Sequence, residues 1–392
     1  MYHYIFLIGV ILIVSYIGKK YVLYVDDEVY KRNEENNLIH KYLLNMSVEK
    51  ITLTKKPKLW IHIDYTYNSR KWESFGSRSS FDLNQPYIHL TIKSIILHCG
   101  DDFEILLIND ESFQNLLPDW EIDMNAVAGT LKLQCREYGM ACLLYKYGGI
   151  IVPSTFLCMR SLYPLYENCL EYGKPFICEN INRYASSSTA NAHHFYSSMA
   201  SAGGGGVKGA GGEAQEWNNI NSRLDLMEQK NNSWNKRHVQ KLAFMPDPSF
   251  MGAIKNDRVI ASIVDVLKRR IYKPHLSSES EFLGFYSHLC YYFVERSQMH
   301  LIDGMYVGVK TAKTKKAILI DDLLSDGPID FNPNMYGIYI DGKDILKRQK
   351  WQWFSVMSIH ELLKQNIQVS RYFIDTMINY QGYQQIFQPL MT

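Results

Sequence analysis

The sequence predicts an α/β fold, a mixed sheet flanked by helices, preceded by one N-terminal transmembrane helix. Three observations carry that reading. Between Ala126 and Leu162 an apolar-rich segment of helical length runs into Gly148-Gly149 and then into Ile150-Ile151-Val152, a β-branched run of buried-strand character. Upstream, Leu59 to Asn109 reads strand, helix, strand, which is the crossover unit of a parallel sheet. At the start, Tyr2 to Ile17 carries no charge other than that of His3.

That first run, as a helix, covers about 24 Å at about 1.5 Å per residue, and Gly18 with the snorkelling Lys19 and Lys20 extends it toward the roughly 30 Å of a hydrocarbon core. Residues 1–18 are therefore expected to be a membrane anchor. The two lysines follow the run and none precedes it, which places the large C-terminal part on the cytosolic side of a single-pass protein. Residues 19–56 mix both charge signs with asparagine and read as a juxtamembrane stalk, in which Asp26-Asp27-Glu28 is a solvated charged run.

Of the 392 residues, 46% are apolar, enough to fill a sizeable core, and a net charge of +2 gives no global field that argues for nucleic acid. Seven cysteines without a C-x-x-C pair argue for buried free thiols rather than a metal centre or a disulfide framework.

The globular domain is expected over 57–392. Leu59 to Ile63 alternates as a first strand. Pro86 suits the first turn of a helix whose Ile88, Ile92, Ile95 and Ile96 form a buried face, closed by Gly100. Phe103 to Asn109 is the next strand, and Asp110 after it either caps a short helix over 111–117 or meets a ligand at the sheet edge. In the long helix before Gly148, Leu133, Met140, Leu143, Leu144 and Tyr147 share one face, and the glycines stop it because they adopt left-handed backbone readily. The strand over 150–152 ends at Pro153-Ser154-Thr155. In open α/β sheets ligands bind beyond the carboxyl ends of strands, so this position is where chemistry is expected.

Those residues resemble the nucleotide-sugar-binding GT-A glycosyltransferases, especially the capsular-polysaccharide-synthesis and sugar-binding DXD families. K-P-K-L-W-I-H-I is similar to their opening strand, I-L-L-I-N-D-E to a later strand end, and L-L-Y-K-Y-G-G-I-I-V to the helix and strand that lead into Asp-x-Asp. The resemblance implies a GT-A-like (Rossmann-like) sheet and a nucleotide-sugar donor. Here Pro153, Ser154 and Thr155 stand where the carboxylates that hold Mn or Mg belong, so no metal site is evident. The family's Ser-Asp and arginine on the preceding helix correspond to Arg136, Glu137 and Met140. By the same resemblance the catalytic candidates are Arg136, Glu137 and Arg160, with Lys132 a further nearby cation. The donor-binding candidates are His62, Asp110, Gly148, Gly149 and Ser154; for His62 a hydrogen-bonded core histidine is the competing reading.

Farther along, P-F-I-C-E-N is a possible strand, and a Gly/Ser-rich insertion is expected at about 186–235, including His193-His194. Order resumes at Leu242, with A-F-M-P-D-P-S-F-M-G-A-I resembling the family's segment near the donor pocket. There Asp247, flanked by prolines, is either a turn residue or a substitute carboxylate. A helix capped by Asn256 or Asp257 presents Val259, Ile260, Ile263, Leu267 and Ile271. A second carries Phe282, Tyr286, Leu289 and Phe293. Asp321-Asp322 either shares a divalent ion or favours the dipole of a helix that it opens. A strand over 335–340 is expected to turn at Asp341-Gly342 in a hairpin, and Ser358 with Glu361 to form a capping box. Trp351, Trp353 and Phe354 are expected to anchor the final helix.

Two functions stand at this level. One is a membrane-anchored transferase that moves a sugar from a nucleotide-sugar donor without a metal. The other is a catalytically inactive scaffold of the same fold in a membrane-associated assembly with protein partners, such as a large DNA virus particle.

Overall fold

The computed structural model describes residues 55–63, 85–182, 243–272, 284–357 and 359–378, together with residues 16, 18 and 20. Nearly all of the expected anchor and of the stalk, the Gly/Ser-rich insertion with His193-His194, and Ser358 of the capping box lie outside the described residues. Among the described residues, no helix is long and apolar enough to cross a membrane.

The first strand, β1 (Lys58–His62), is followed by α1 (Tyr87–Cys99) and β2 (Glu104–Ile108), and β1 pairs with β2 in parallel from Lys58 opposite Glu104 to His62 opposite Ile108. A short α2 (Ser112–Leu116) and the long α3 (Gly129–Tyr147) lead to β3 (Gly149–Ile151), which joins the other side of β1, again in parallel. β4 (Phe156–Cys158), α4 (Tyr163–Tyr172) and β5 (Phe176–Ile181) come next, and then β6 (Phe244–Ala253), α5 (Arg258–Tyr272), α6 (Phe285–Glu295) and β7 (His300–Ile302). The main sheet has six strands in the order β2-β1-β3-β6-β5-β7. Because β3 and β5 are both antiparallel to β6 while β7 is parallel to β5, β6 alone runs against the others. A mixed, largely parallel sheet of this kind is compatible with a Rossmann-like fold.

Strand alternation divides the core. Trp60, Leu106, Ile108, Ile151, Ile177 and Met251 pack on one face beneath α3, α5 and α6. On the other face Leu59, Ile61, Ile105, Leu107, Ile150 and Phe176 pack against α1 and α4. Both faces are covered, so strands such as Ile105 to Ile108 are apolar throughout rather than alternating. A third cluster belongs to the C-terminal part, where β8 (Gly337–Tyr339) pairs with β4 in a two-stranded sheet. Around it lie α7 (Ile320–Leu323), α8 (Gly342–Lys347), α9 (Gln352–Val356), α10 (Ile359–Lys364) and α11 (Gln368–Ile378). Within this part Trp351 and Phe354 are buried, in keeping with their expected anchoring role.

Several local expectations are corrected. Asp341 does not turn a hairpin after β8: its carboxylate accepts from the Asp344 N–H and caps α8. Asp110 does not cap α2; the side chain of Asn109 accepts the Ser112 N–H instead. Ahead of Asp321, Ala317 forms a single bridge with Lys310. Asp321 pairs with Arg348, Lys350 and the Trp351 indole, and Asp322 accepts the Leu319 N–H at the start of α7. Helix-terminal and ion-pair roles therefore account for both aspartates. Of the two capping candidates for α5, Asp257 is the cap, accepting the Ile260 N–H. All seven cysteines are free, and all except the partly exposed Cys142 are buried.

Candidate functional site

Tracing the chain along the sheet locates its crevice. From β1 the chain passes through α1 to β2 on one side, then through α3 to β3 on the other, so the connections diverge between β1 and β3. The carboxyl ends of two strands that diverge in this way leave a crevice, the usual ligand position in an open α/β sheet. A cavity of ≈ 460 Å³ lies there, bounded by the ends of β1, β3 and β5, by α3, by the start of α6 and by the lip of α8.

The pairing of the strands whose ends form this cleft is set by backbone rules. Gly148 and Gly149 have φ of 72° and 106°, and a Cβ on Gly149 would lie 2.0 Å from the Lys58 carbonyl oxygen. Only glycine lets β3 approach β1 this closely. The Trp60 indole N–H donates to the Gly148 carbonyl at 2.9 Å and holds the turn. The two glycines thus build the strand pairing under the site and do not line the cleft. Ser154 does line it, and the Ser154 carbonyl accepts from the Thr91 hydroxyl.

Across the sheet, β6 departs from regular pairing. Ile177 on β5 is opposite Met251, but the next residue, Cys178, is opposite Asp247. The extra residues, Pro248, Ser249 and Phe250, form a bulge that begins directly after Asp247, where Pro248 could not donate to a ladder. Asp247 lines the cleft beside this bulge, its carboxylate accepting from Asn180 Nδ2 at 2.6 Å and from the Ser249 N–H at 2.9 Å. Asn180 and Asn182, two apart on one strand end, line the same side.

On α3, Leu133, Arg136, Glu137 and Met140 face the cleft. Arg136 donates to both oxygens of Asp110, from Nε at 2.6 Å and from the terminal NH2 nitrogen at 2.7 Å. Lys132 lies 3.2 Å from the same carboxylate. His62 Nε2 is 3.0 Å from Asp110 Oδ1, and the His62 ring stacks on Phe113. Hydrogen bonds and the charges of His62 and Arg136 hold the Asp110 carboxyl well below the usual carboxylate range, against a burial effect that acts in the opposite direction.

Glu137 is the contrary case. Burial pushes its carboxyl up to about 8; Asp247 adds to the rise, while Lys343 and Arg270 oppose it. At neutral pH it is a carboxylic acid on the wall of the cleft, able to donate a hydrogen bond. His288, which also lines the cavity, is shifted down by burial and is neutral. An acid that keeps its proton and a histidine that lacks its second one therefore share one cavity, the division of roles on which acid–base catalysis depends.

Comparison of the chain with protein-family models, with curated proteins and with solved structures finds no match in any of the three.

Of the candidates read from sequence, the fold brings His62, Arg136, Glu137 and Ser154 to the cleft and places Asp110 directly behind two of them. Arg160 is elsewhere: it follows β4, is exposed, and donates to the Pro333 carbonyl at 2.7 Å. Sequence reading missed Asn180, Asn182, His288 and Lys343. The asparagine pair carried a readable signal, polar residues two apart at the end of an apolar strand. His288 and Lys343 carried none, since they reach the cleft only through the packing of α6 and α8. For Mn or Mg the donor set does not fit: the β3 end offers Pro153, Ser154 and Thr155, and the Ser154 carbonyl already accepts from Thr91. Among the described residues, no group of three or more His, Cys, Asp or Glu side chains converges to hold a metal.

Proposed function

We propose that this chain is a GT-A-like glycosyltransferase that binds a nucleotide sugar in the cleft and transfers the sugar without a divalent metal. The observation that carries the reading is Glu137, an uncharged carboxylic acid in a cleft at the divergence of β1 and β3. In transfer, the bond from the sugar to the donor diphosphate breaks and a bond from the sugar to an acceptor hydroxyl forms. The acceptor proton passes to a base and the diphosphate leaves as an anion. His288, neutral on the cleft wall, is the base in this scheme, and protonated Glu137 donates to a donor oxygen that gains charge. Asn180 and Asp247 present amide and carboxylate groups to sugar hydroxyls. Attachment to a membrane through residues 1–18 belongs to the same proposal.

A second reading, an inactive scaffold in a membrane-associated assembly, is favoured by the strand end itself, where Pro153, Ser154 and Thr155 supply no carboxylate. The two readings separate in one assay. Full-length protein is incubated with a panel of nucleotide sugars in the presence of chelator, and release of nucleoside diphosphate is followed. Transfer predicts release with one donor and a loss of about 10²- to 10⁴-fold in kcat for Glu137→Gln, the range for removal of a general acid or base. Absence of release with every donor and acceptor tried sinks the transferase and leaves the scaffold.

A further inference from the structure

Glu137 lines more than the cleft. It also lines a second, small cavity of ≈ 10 Å³, together with Gln134, Leu267, Arg270, Ile271 and Phe285. Gln134 precedes Glu137 by one helical turn on α3, so the two side chains are neighbours on the helix surface. Gln134 is buried, at 8% exposure, and among the described residues nothing donates to its Oε1 atom. A buried amide oxygen without a donor is costly, and native folds satisfy nearly all such atoms. From α5, Arg270 reaches the same cavity, its guanidinium carbon 3.9 Å from the centre of the Phe285 ring. The cavity thus brings together an amide acceptor, a guanidinium donor and a carboxyl group, and Leu267, Ile271 and Phe285 close it with apolar surface. A space of roughly 10–15 Å³ admits one water, and a buried water makes about three hydrogen bonds. Size and polar lining both match a single water.

We propose that one internal water joins Gln134, Glu137 and Arg270, and that Gln134 acts through it as a positioning residue for Glu137. The water donates to Gln134 Oε1 and to the carbonyl oxygen of the Glu137 acid, and it accepts from Arg270. With the carbonyl oxygen held toward the small cavity, Glu137 keeps its hydroxyl for the cleft. The inference rests on the reading of Glu137 as the acid of the cleft. When the proton passes to the substrate oxygen, the carboxylate left behind retains the hydrogen bond from the water and the attraction of Arg270. Of the other groups near Glu137, Lys343 of α8 favours its charged form and Asp247 of β6 opposes it. Tyr286 and Cys290 of α6 also face it, and burial raises both well above their ordinary values, so they stay neutral while Glu137 titrates.

Infrared difference spectra of the full-length chain through a pH series identify the acid C=O band of Glu137 as the one missing in Glu137→Gln. Gln134→Met and Gln134→Leu each remove the amide oxygen at similar size. In either variant the band is expected at higher frequency, because its carbonyl oxygen loses a donor. Its titration midpoint, about 8 in the wild type, is expected to rise by about one pH unit, since the charged form loses the same donor. A crystal structure of the full-length chain gives an independent reading, one ordered water within hydrogen-bond distance of both Gln134 Oε1 and the Glu137 carboxyl, and it decides the matter even where both variants unfold. An unshifted band and midpoint in a folded Gln134 variant, or a direct Gln134–Glu137 hydrogen bond with no water between them, overturns the inference and spares the transferase reading. Absence of the band from the wild type at neutral pH shows an ionised Glu137 and overturns both. The band and its shift as predicted, with no sugar transfer from any donor, support the internal water and overturn the transferase reading alone.

Discussion

Asp110 and Glu137 are carboxyl groups of the same neighbourhood with opposite fates, and the difference is one of partners. Asp110 has Arg136, Lys132 and His62 around it, and Asp110→Ala would leave those groups without their shared anion. We expect a loss of about 3–5 kcal/mol in denaturant unfolding, the range for breaking a well-buried pair, with values toward the lower end because the cluster is partly open to the cleft. The folded carboxyl of Asp110 lies below its ordinary value of 3.8, so its contribution is fully present above that pH and fades as the pH falls further. Glu137 behaves in the opposite sense. Its ordinary value is 4.5 and its folded value about 8, so the folded protein holds a proton that the unfolded chain has released. Between those limits the stability that it confers falls as pH rises. Glu137→Gln should flatten that part of the stability profile in a pH series of melting curves; an unchanged slope would show that Glu137 is ionised in the fold.

At the scale of elements, the turn from α3 into β3 fixes the pairing of β3 with β1, whose carboxyl ends open into the cleft. Gly149→Ala places a Cβ against the Lys58 backbone and demands a φ that alanine resists, so a loss of about 2–5 kcal/mol is expected on chemical denaturation. Retention of wild-type stability would mean that β1 and β3 are not paired as described. This turn was also the most legible part of the sequence, because helix periodicity, a glycine stop and a β-branched run are all local signals. β1, α1 and β2 were legible for the same reason. Asp341-Gly342 misled because a hairpin signal and a helix cap use the same residues, and the packing of the residues after them decides between the two. Here Ile345 is buried in the C-terminal core and draws the chain into α8. The bulge in β6 was half legible: Asp247 between two prolines read as a turn residue or a substitute carboxylate, but the strand opposite it could not be inferred from sequence spacing. Asp110 was visible as the end of a strand, whereas its meeting with Lys132 and Arg136 depends on how α3 lies over β1 and β2.

Across the whole molecule, the C-terminal part completes the cleft with Tyr339, Gly342, Lys343 and Leu346, so the way it is fastened to the sheet matters for the site. One fastening is buried. Glu179 on β5 accepts from Lys310 and from the Gly304 N–H at 2.9 Å, and Lys310 also lies 4.4 Å from the centre of the Phe244 ring. Lys310→Ala leaves Glu179 as an unpaired buried carboxylate, with an expected cost of about 3–5 kcal/mol in a denaturant titration. Lys310→Met should recover part of that loss in combination with Glu179→Gln, since the charges then disappear together. For the cleft, the decisive property is binding of a nucleotide sugar with no metal ion. Thermal unfolding of the full-length chain in chelator, against a panel of nucleoside diphosphates and nucleotide sugars, tests it most directly. A ligand at one hundred times its dissociation constant adds about 2.7 kcal/mol of stability. A metal-free donor site predicts a rise in melting temperature for one nucleotide sugar in chelator, unchanged on addition of Mn. A rise that requires Mn, or no rise with any donor, would contradict it.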